Sequence, residues 1–146
     1  MLTIFIRLIC VLSWTTVVFV PKREVRRFIP VTMLSGLFTV TLVLIGSQYF
    51  WGSIGKSKKA LWNHLLLVLG PFAIANLWIF HLTYGKFAQY MITNLLNNLL
   101  YSFSIIPLIE KANYLSYVKF TRLHHFLVTT VEALLLYAFQ MVYEKQ

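Results

Sequence analysis

Acidic residues are scarce in this sequence, which has no aspartate and only four glutamates among 146 residues, against 13 lysines and arginines. Charged residues make up 12% of the chain, about half of the roughly 25% that is usual in soluble domains. Apolar residues make up 59% of the chain and occur in long blocks. They are too many to be buried in the core of a single small domain. These shortages argue against a soluble globular domain.

Residue patterns that would indicate an enzyme are also lacking. The sequence has no HExxH metal motif, no GxSxG nucleophile motif, and no glycine pattern for phosphates or dinucleotides. The single cysteine, Cys10, has no partner for an intramolecular disulfide and is predicted to be buried. His124 and His125 are adjacent, so they point about 100° apart on a helix and do not share a face. We therefore predict no catalytic residues, no metal site and no cofactor, with an intramembrane enzyme as a minor alternative.

The apolar residues form five blocks that are long enough to cross a bilayer. Each block is near or above the ~20 residues that a helix needs to span ~30 Å of hydrocarbon. Helices satisfy their own backbone groups in lipid, so the blocks predict helices. Arg7 interrupts the first block and no small-residue cleavage site follows it, which favours a retained span over a signal peptide. The prediction is an all-α polytopic transmembrane bundle, one domain over residues 1–146, with short loops and spans at 2–20, 28–51, 61–84, 87–109 and 123–143.

The net charge of +9 comes from basic residues in the short loops beside these blocks. This placement predicts contact with anionic lipid head groups rather than with nucleic acid, because no nucleic-acid-binding motif accompanies the charge. The first strongly basic loop, Lys22–Arg27, predicts that this loop is cytoplasmic, with the N-terminus outside and the C-terminus in the cytoplasm. The basic residues are nearly balanced between the two sides, so dual insertion, giving an antiparallel homodimer, stays open.

Glu132 is the one acidic residue inside a predicted span, and an intramembrane carboxylate marks a functional site by default. His125, Thr129 and Glu132 fall on one stripe of the fifth span at i, i+4 and i+7. One interpretation is a proton relay or cation site. The other is a protonated carboxyl that hydrogen-bonds a neighbouring helix, and we favour it because the spans contain no second acid.

The fourth span supplies the expected neighbours of Glu132. Asn94, Asn97 and Asn98 share one broad face, and three amides within five residues are costly in lipid. We expect this face to point inward, either as packing contacts or as the lining of a pocket.

Two further features concern helix shape and packing. Gly70-Pro71 predicts a kink in the middle of the third span, because proline removes one backbone donor and displaces a carbonyl. Gly85-Lys86 predicts a tight turn between antiparallel helices, with Gly85 in the left-handed region. Small residues in the second span predict close packing and no chemistry; they are Thr32, Ser35, Gly36, Thr39 and Gly46.

The segment Pro21-Lys22-Arg23-Glu24-Val25-Arg26-Arg27-Phe28-Ile29-Pro30-Val31-Thr32 resembles the basic loop and second-span entry of a family of small, uncharacterised multi-spanning membrane proteins of spore-forming Gram-positive bacteria. That resemblance implies a bacterial cell-membrane location and carries over no functional residue. From the residues we predict a non-enzymatic bundle that acts as a structural or accessory subunit, with a membrane protein or a second copy as partner. The alternative is a small transporter or channel for a proton or cation, using Glu132 and the amides.

Overall fold

The computed structural model describes residues 2–45, 58–114, 119 and 121–145, and these residues form helices without a strand. We number the α-helices in chain order. The bounds are α1 Leu2–Leu12, α2 Lys22–Ile45, α3 Lys58–Leu67, α4 Ala73–Thr83, α5 Phe87–Leu100, α6 Ile106–Lys111 and α7 Arg122–Tyr143.

Two π-helical segments join helices into longer rods. Val68–Phe72 connects α3 to α4, and Tyr101–Ile105 connects α5 to α6. The first segment confirms the kink predicted at Gly70-Pro71, since Gly70 leaves the helical region at φ −94° and ψ −107°. A Cβ atom on Gly70 would lie 2.8 Å from the Cys10 carbonyl oxygen. Glycine at this position therefore allows α1 to approach the kink closely.

The first apolar block is helical in two different ways. Helix α1 continues into a 3₁₀ helix, Ser13–Phe19, which is longer than the three or four residues usual for this structure. Hydroxyl groups support the tighter winding, because Ser13 donates to the Cys10 carbonyl at 2.7 Å and Thr16 to the Ser13 carbonyl at 2.7 Å. Trp78 Nε1 also donates to Thr16 Oγ1 at 3.1 Å, which fixes the segment against α4.

The core is a ring of four helices in which α2 packs on α4 and α7, and α5 packs on α4 and α7. Aromatic side chains fill one half of it, with Phe28 against Phe80 at 5.6 Å and Tyr90 against Tyr137 at 4.8 Å between ring centroids. Helix α1 lies outside the ring, against α3 and the Val68–Phe72 segment. The predicted turn is confirmed: Gly85 has φ +87°, and α4 packs on α5.

Among the described residues, four helical rods are long and apolar enough to cross a membrane, namely Lys22–Ile45, Trp62–Thr83, Phe87–Lys111 and Arg122–Tyr143. The first block falls short of this length as Ile4–Phe19. The second predicted span begins at Lys22 rather than at Phe28, so the basic segment that we placed in a loop forms the first turns of α2. The predicted end of that span, at 46–51, lies outside the described residues.

Candidate functional site

Glu132 lies inside the four-helix ring, with 4% of its surface exposed. Its carboxyl group faces α2, where Ser35 Oγ donates to Oε1 at 2.8 Å. The Thr39 hydroxyl lies 3.2 Å from the same oxygen and 3.5 Å from Oε2. No ion pair involves Glu132 within the described residues, so hydroxyl groups are its closest polar partners.

The contacts of Glu132 continue to a third helix. Asn76 Nδ2, on α4, donates to Ser35 Oγ at 2.6 Å, so one hydroxyl both accepts from an amide and donates to a carboxyl. The Thr39 hydroxyl has a single hydrogen to donate, and its oxygen also lies 3.0 Å from the Ser35 carbonyl oxygen. We call these four residues, Ser35, Thr39, Asn76 and Glu132, the Glu132 network. It joins α2, α4 and α7 at the middle of the ring.

A small cavity adjoins the network on the side facing α5. Its volume of about 10 Å³ is the room that about one water molecule requires. Its polar lining residues are Asn76, Asn94, Asn97, Asn98, Thr129 and Glu132. The amides predicted to lie near Glu132 therefore share a cavity with it, although its hydrogen bonds go to α2 instead.

The three amides differ in how they are satisfied. Asn94 is buried and donates to the Tyr90 carbonyl of its own helix at 2.9 Å. Asn98 is 5% exposed, and its Nδ2 has no hydrogen-bond partner among the described residues. Asn97 is only partly buried. A buried amide donor without a partner is costly, so Asn98 is the side chain best placed to bind a polar group in the cavity.

The predicted stripe of His125, Thr129 and Glu132 on α7 does not face a single site. Thr129 lines the cavity beside Glu132, with its hydroxyl donating to the His125 carbonyl at 2.9 Å. His125 is directed elsewhere, because its Nδ1 lies 2.9 Å from Ser102 Oγ and its ring stacks on Tyr101 at 5.2 Å. The relay from His125 to Glu132 is therefore not continuous through side-chain hydrogen bonds of the described residues.

A second carboxylate cluster lies at the end of α7. Glu144 accepts hydrogen bonds from Arg27 Nε and, at 2.8 Å, from Arg27 Nη2, and Gln140 donates to it at 2.8 Å. The Arg27 guanidinium also lies 4.9 Å above the Tyr84 ring. The Arg27 hydrogen bond lowers the pKa of Glu144, and burial raises the pKa of Tyr84 to about 12. These four residues, Arg27, Tyr84, Gln140 and Glu144, form what we call the Glu144 cluster.

Sequence reasoning missed the direct partners of Glu132. Ser35 and Thr39 belong to the stripe of small residues that close packing explained, and Asn76 is an amide on the third span that no motif singled out. One signal could have found them: Ser35 and Thr39 are spaced i, i+4, which places two hydroxyls on one helix face. A buried carboxyl needs such donors.

Metal binding has no support in the part of the chain that the structure describes. There, no three His, Cys or Glu side chains lie close enough together to hold an ion. The absence of a metal or cofactor stays a prediction.

The chain matches no protein family model, no curated protein and no solved structure. The family resemblance of the Pro21–Thr32 segment stays a prediction too. Function is therefore inferred from this chain's own residues and geometry.

Proposed function

We propose that this chain is a non-enzymatic integral membrane bundle, acting as a structural or accessory subunit, in which Glu132 joins three helices. The observation that carries this is the Glu132 network. Both carboxyl oxygens face hydroxyl groups of α2, and no cation pairs with them within the described residues. A buried carboxyl without a cation costs less in its neutral form, which can also donate a hydrogen bond. Such a group suits an interhelical contact.

Bilayer location is supported by the outer surface of the bundle. Large apolar side chains are exposed on all four long rods, among them Met33, Leu69, Leu96 and Val131. In water this surface would aggregate, whereas in lipid it is solvated. Integration is tested by alkaline extraction of the membranes. The protein should remain in the pellet, and release into the supernatant would exclude an integral protein.

A fifth crossing is supported by the winding of the first block, which makes it longer than its residue count suggests. Leu2–Phe19 combines eleven α-helical residues with seven 3₁₀ residues. With rises of about 1.5 and 2.0 Å per residue, this segment extends roughly 30 Å, which matches the hydrocarbon thickness. Five crossings place the two termini on opposite sides.

Orientation is tested by labelling. Cysteines introduced at Lys22 and Lys58 should label from opposite sides, with Lys22 cytoplasmic, while labelling of both from both sides would indicate dual insertion.

A small proton or cation transporter is the second candidate, and one observation favours it. The cavity beside Glu132 has room for about one water molecule, and it is lined by Asn98, whose Nδ2 has no hydrogen-bond partner among the described residues. Proteoliposomes containing the wild type and Glu132→Gln separate the two candidates. A structural bundle gives no ion flux above empty liposomes in either case. Flux in the wild type that Glu132→Gln abolishes would instead establish transport.

A further inference from the structure

A second, much larger cavity lies outside the ring, between α1 and the two π-helical segments. Its volume is about 450 Å³, within the roughly 300–1,000 Å³ that is usual for ligand pockets. Aliphatic and aromatic side chains form most of its wall. We call it the lateral cavity.

Both π-helical segments border the lateral cavity. Pro71 and Phe72 come from the first π segment, and Tyr101 and Ile105 come from the second. π-Helical turns add a residue to a helix and occur frequently at functional sites. Here the two segments face the same space, whereas regular helices at both positions would present different side chains to it.

The lateral cavity opens on the apolar outer surface of the bundle. Three of its lining side chains, Phe5, Ile9 and Leu108, are also exposed to the surroundings, at 60%, 44% and 64%. They belong to α1 and α6, so the opening lies between these helices. In a bilayer, a molecule would enter sideways from the lipid.

The inner part of the lateral cavity is polar at one place. Asn97 and Tyr101 line it, and neither the Asn97 side-chain amide nor the Tyr101 hydroxyl hydrogen-bonds to another described residue. Stacking on His125 and an edge contact with Phe72 hold the Tyr101 ring in place. Two polar groups without hydrogen-bond partners among the described residues, one of them on a ring held by its neighbours, are suited to orient a ligand in an apolar site.

The lateral cavity also borders the small cavity of Glu132. Phe72, Ala75 and Asn97 line both, so Asn97 lies at the boundary between an apolar space and a polar one. The unpartnered Nδ2 of the 95%-buried Asn98 lies just beyond it. The direction from the opening to Asn97 therefore runs from apolar to polar.

Charge and depth limit what the ligand can be. None of the described lining residues is charged, so a phosphate or ammonium group would be buried without a counter-ion. Pro71 and Asn97 lie near the middle of the Trp62–Thr83 and Phe87–Lys111 rods, where a phospholipid head group does not reach. The polar part must be small and neutral.

We propose that the lateral cavity binds an uncharged single-chain lipid, whose hydroxyl or carbonyl group hydrogen-bonds Asn97 and Tyr101 while its hydrocarbon chain extends toward Phe5, Ile9 and Leu108. This site rests on the bilayer location proposed above and is independent of the role of Glu132. The donor and acceptor of the Asn97 amide serve either a hydroxyl or a carbonyl group.

Photolabelling in lipid nanodiscs tests the site. The probe is a fatty alcohol that carries a diazirine in its chain and an alkyne for detection, and the comparison is a phosphatidylcholine with the same diazirine chain. We expect the alcohol to label peptides from 67–75 and 101–109 at low probe concentration. Unlabelled fatty alcohol should compete, whereas the phospholipid probe should give only weak, non-saturating labelling.

Matched variants locate the labelling. Ile9→Trp places an indole at the mouth of the lateral cavity and should reduce labelling to background. Ile92→Trp makes the same change on the exposed face of α5, away from the cavity, and should leave labelling unchanged. Asn97→Leu keeps the side-chain size and removes the amide, and should weaken the competition by about two- to tenfold, the usual effect of one hydrogen bond.

Equal labelling by the two probes at the same peptides would overturn the proposal, since an ordinary bilayer chain would then fill the cavity. Unchanged labelling in Ile9→Trp would overturn it as well. If thermal unfolding shows that Ile9→Trp is misfolded, the competition constants of the wild type and Asn97→Leu decide instead, and equal constants reject the proposed polar contact. Alkaline extraction of the same membranes reports the bilayer location separately from ligand binding.

Discussion

Glu132 lies within α7 and Glu144 directly follows its end, roughly 18 Å away along the axis, and both carboxyl groups bind α2. Glu132 is 4% exposed and faces the hydroxyls of Ser35 and Thr39. The Glu144 side chain is 26% exposed and pairs with the Arg27 guanidinium. The same two helices are therefore joined by neutral donors in the middle of the bundle and by a cation at its end.

The difference follows from the free energy that each environment requires to desolvate a charged group. In the middle, a guanidinium would have to lose its hydration, and the Coulombic gain often fails to offset that cost. At the end, water solvates both partners, so an ion pair forms easily and contributes little. We therefore expect the Glu132 network to contribute more stability than the Glu144 cluster. The following substitutions compare the two.

The largest effect is expected from Glu132→Leu. The substitution leaves the Ser35 hydroxyl without its acceptor inside the ring, and one buried polar group without a partner costs about 1–3 kcal/mol. The midpoint of thermal unfolding in detergent should fall clearly. Glu132→Gln is the matched control, because its amide keeps an acceptor and a donor, and it should unfold close to the wild type. Equal loss in both variants would contradict the interhelical role.

A smaller effect is expected from Ser35→Ala, about 1–2 kcal/mol. Asn76 loses its acceptor and Glu132 loses one donor, but Thr39 remains within reach of the carboxyl. Ser104→Ala, at an exposed position of the second π segment, provides the same chemical change outside the network. Chemical unfolding of both variants in one detergent gives the comparison, and an equal loss of stability in the two would mean that Ser35 has no special role.

Glu144→Gln should destabilise the bundle by about 0.5–1 kcal/mol, the range of a partly exposed ion pair. The effect should shrink in high salt, because exposed charges are screened. Glu110→Gln is the control, since Glu110 approaches Arg122 only to 4.0 Å. A loss larger than that of Glu132→Leu would reverse the proposed order of the two regions.

The smallest effect is the pH dependence of this pair. The Arg27 hydrogen bond lowers the pKa of Glu144 in the folded protein below its ordinary value of 4.5. The stabilisation is therefore fully present above pH 4.5 and is lost as the pH falls through the lowered pKa. The difference in unfolding midpoint between wild type and Glu144→Gln, measured from about pH 7 to about pH 3.5, should stay constant and then shrink. A difference that grows on acidification would contradict the assignment.

Much of the fold could be predicted from the sequence, because local rules decide it. Proline and glycine chemistry gives the kink at Gly70-Pro71 and the turn at Gly85, and apolar length gives the four long rods. The beginning of α2 was placed six residues too late, since charged residues were assigned to a loop. Charged residues also occur in the terminal turns of helices, and composition alone does not distinguish a charged loop from a charged helix end.

The site could be predicted only in part. Helical periodicity indicates which residues share a face. From it we predicted that Asn94 and Asn98 lie near Glu132, and both line its cavity. It does not indicate how two helices are rotated and shifted against each other, which decides that Ser35 rather than an amide bonds the carboxyl. The lateral cavity could not be predicted from the sequence for the same reason. It depends on how α1 and the two π segments are placed relative to one another.

The 3₁₀ segment of the first block bears on how the proposed fifth crossing would fit membranes of different thickness. Residues in a 3₁₀ helix rise about 2.0 Å each and residues in an α-helix about 1.5 Å. Rewinding Ser13–Phe19 would therefore shorten this crossing by roughly 3.5 Å, close to the few ångströms that separate thin and thick bilayers. The segment would give the proposed crossing an adjustable length, so that hydrophobic mismatch would be absorbed there rather than by tilting of the four-helix ring.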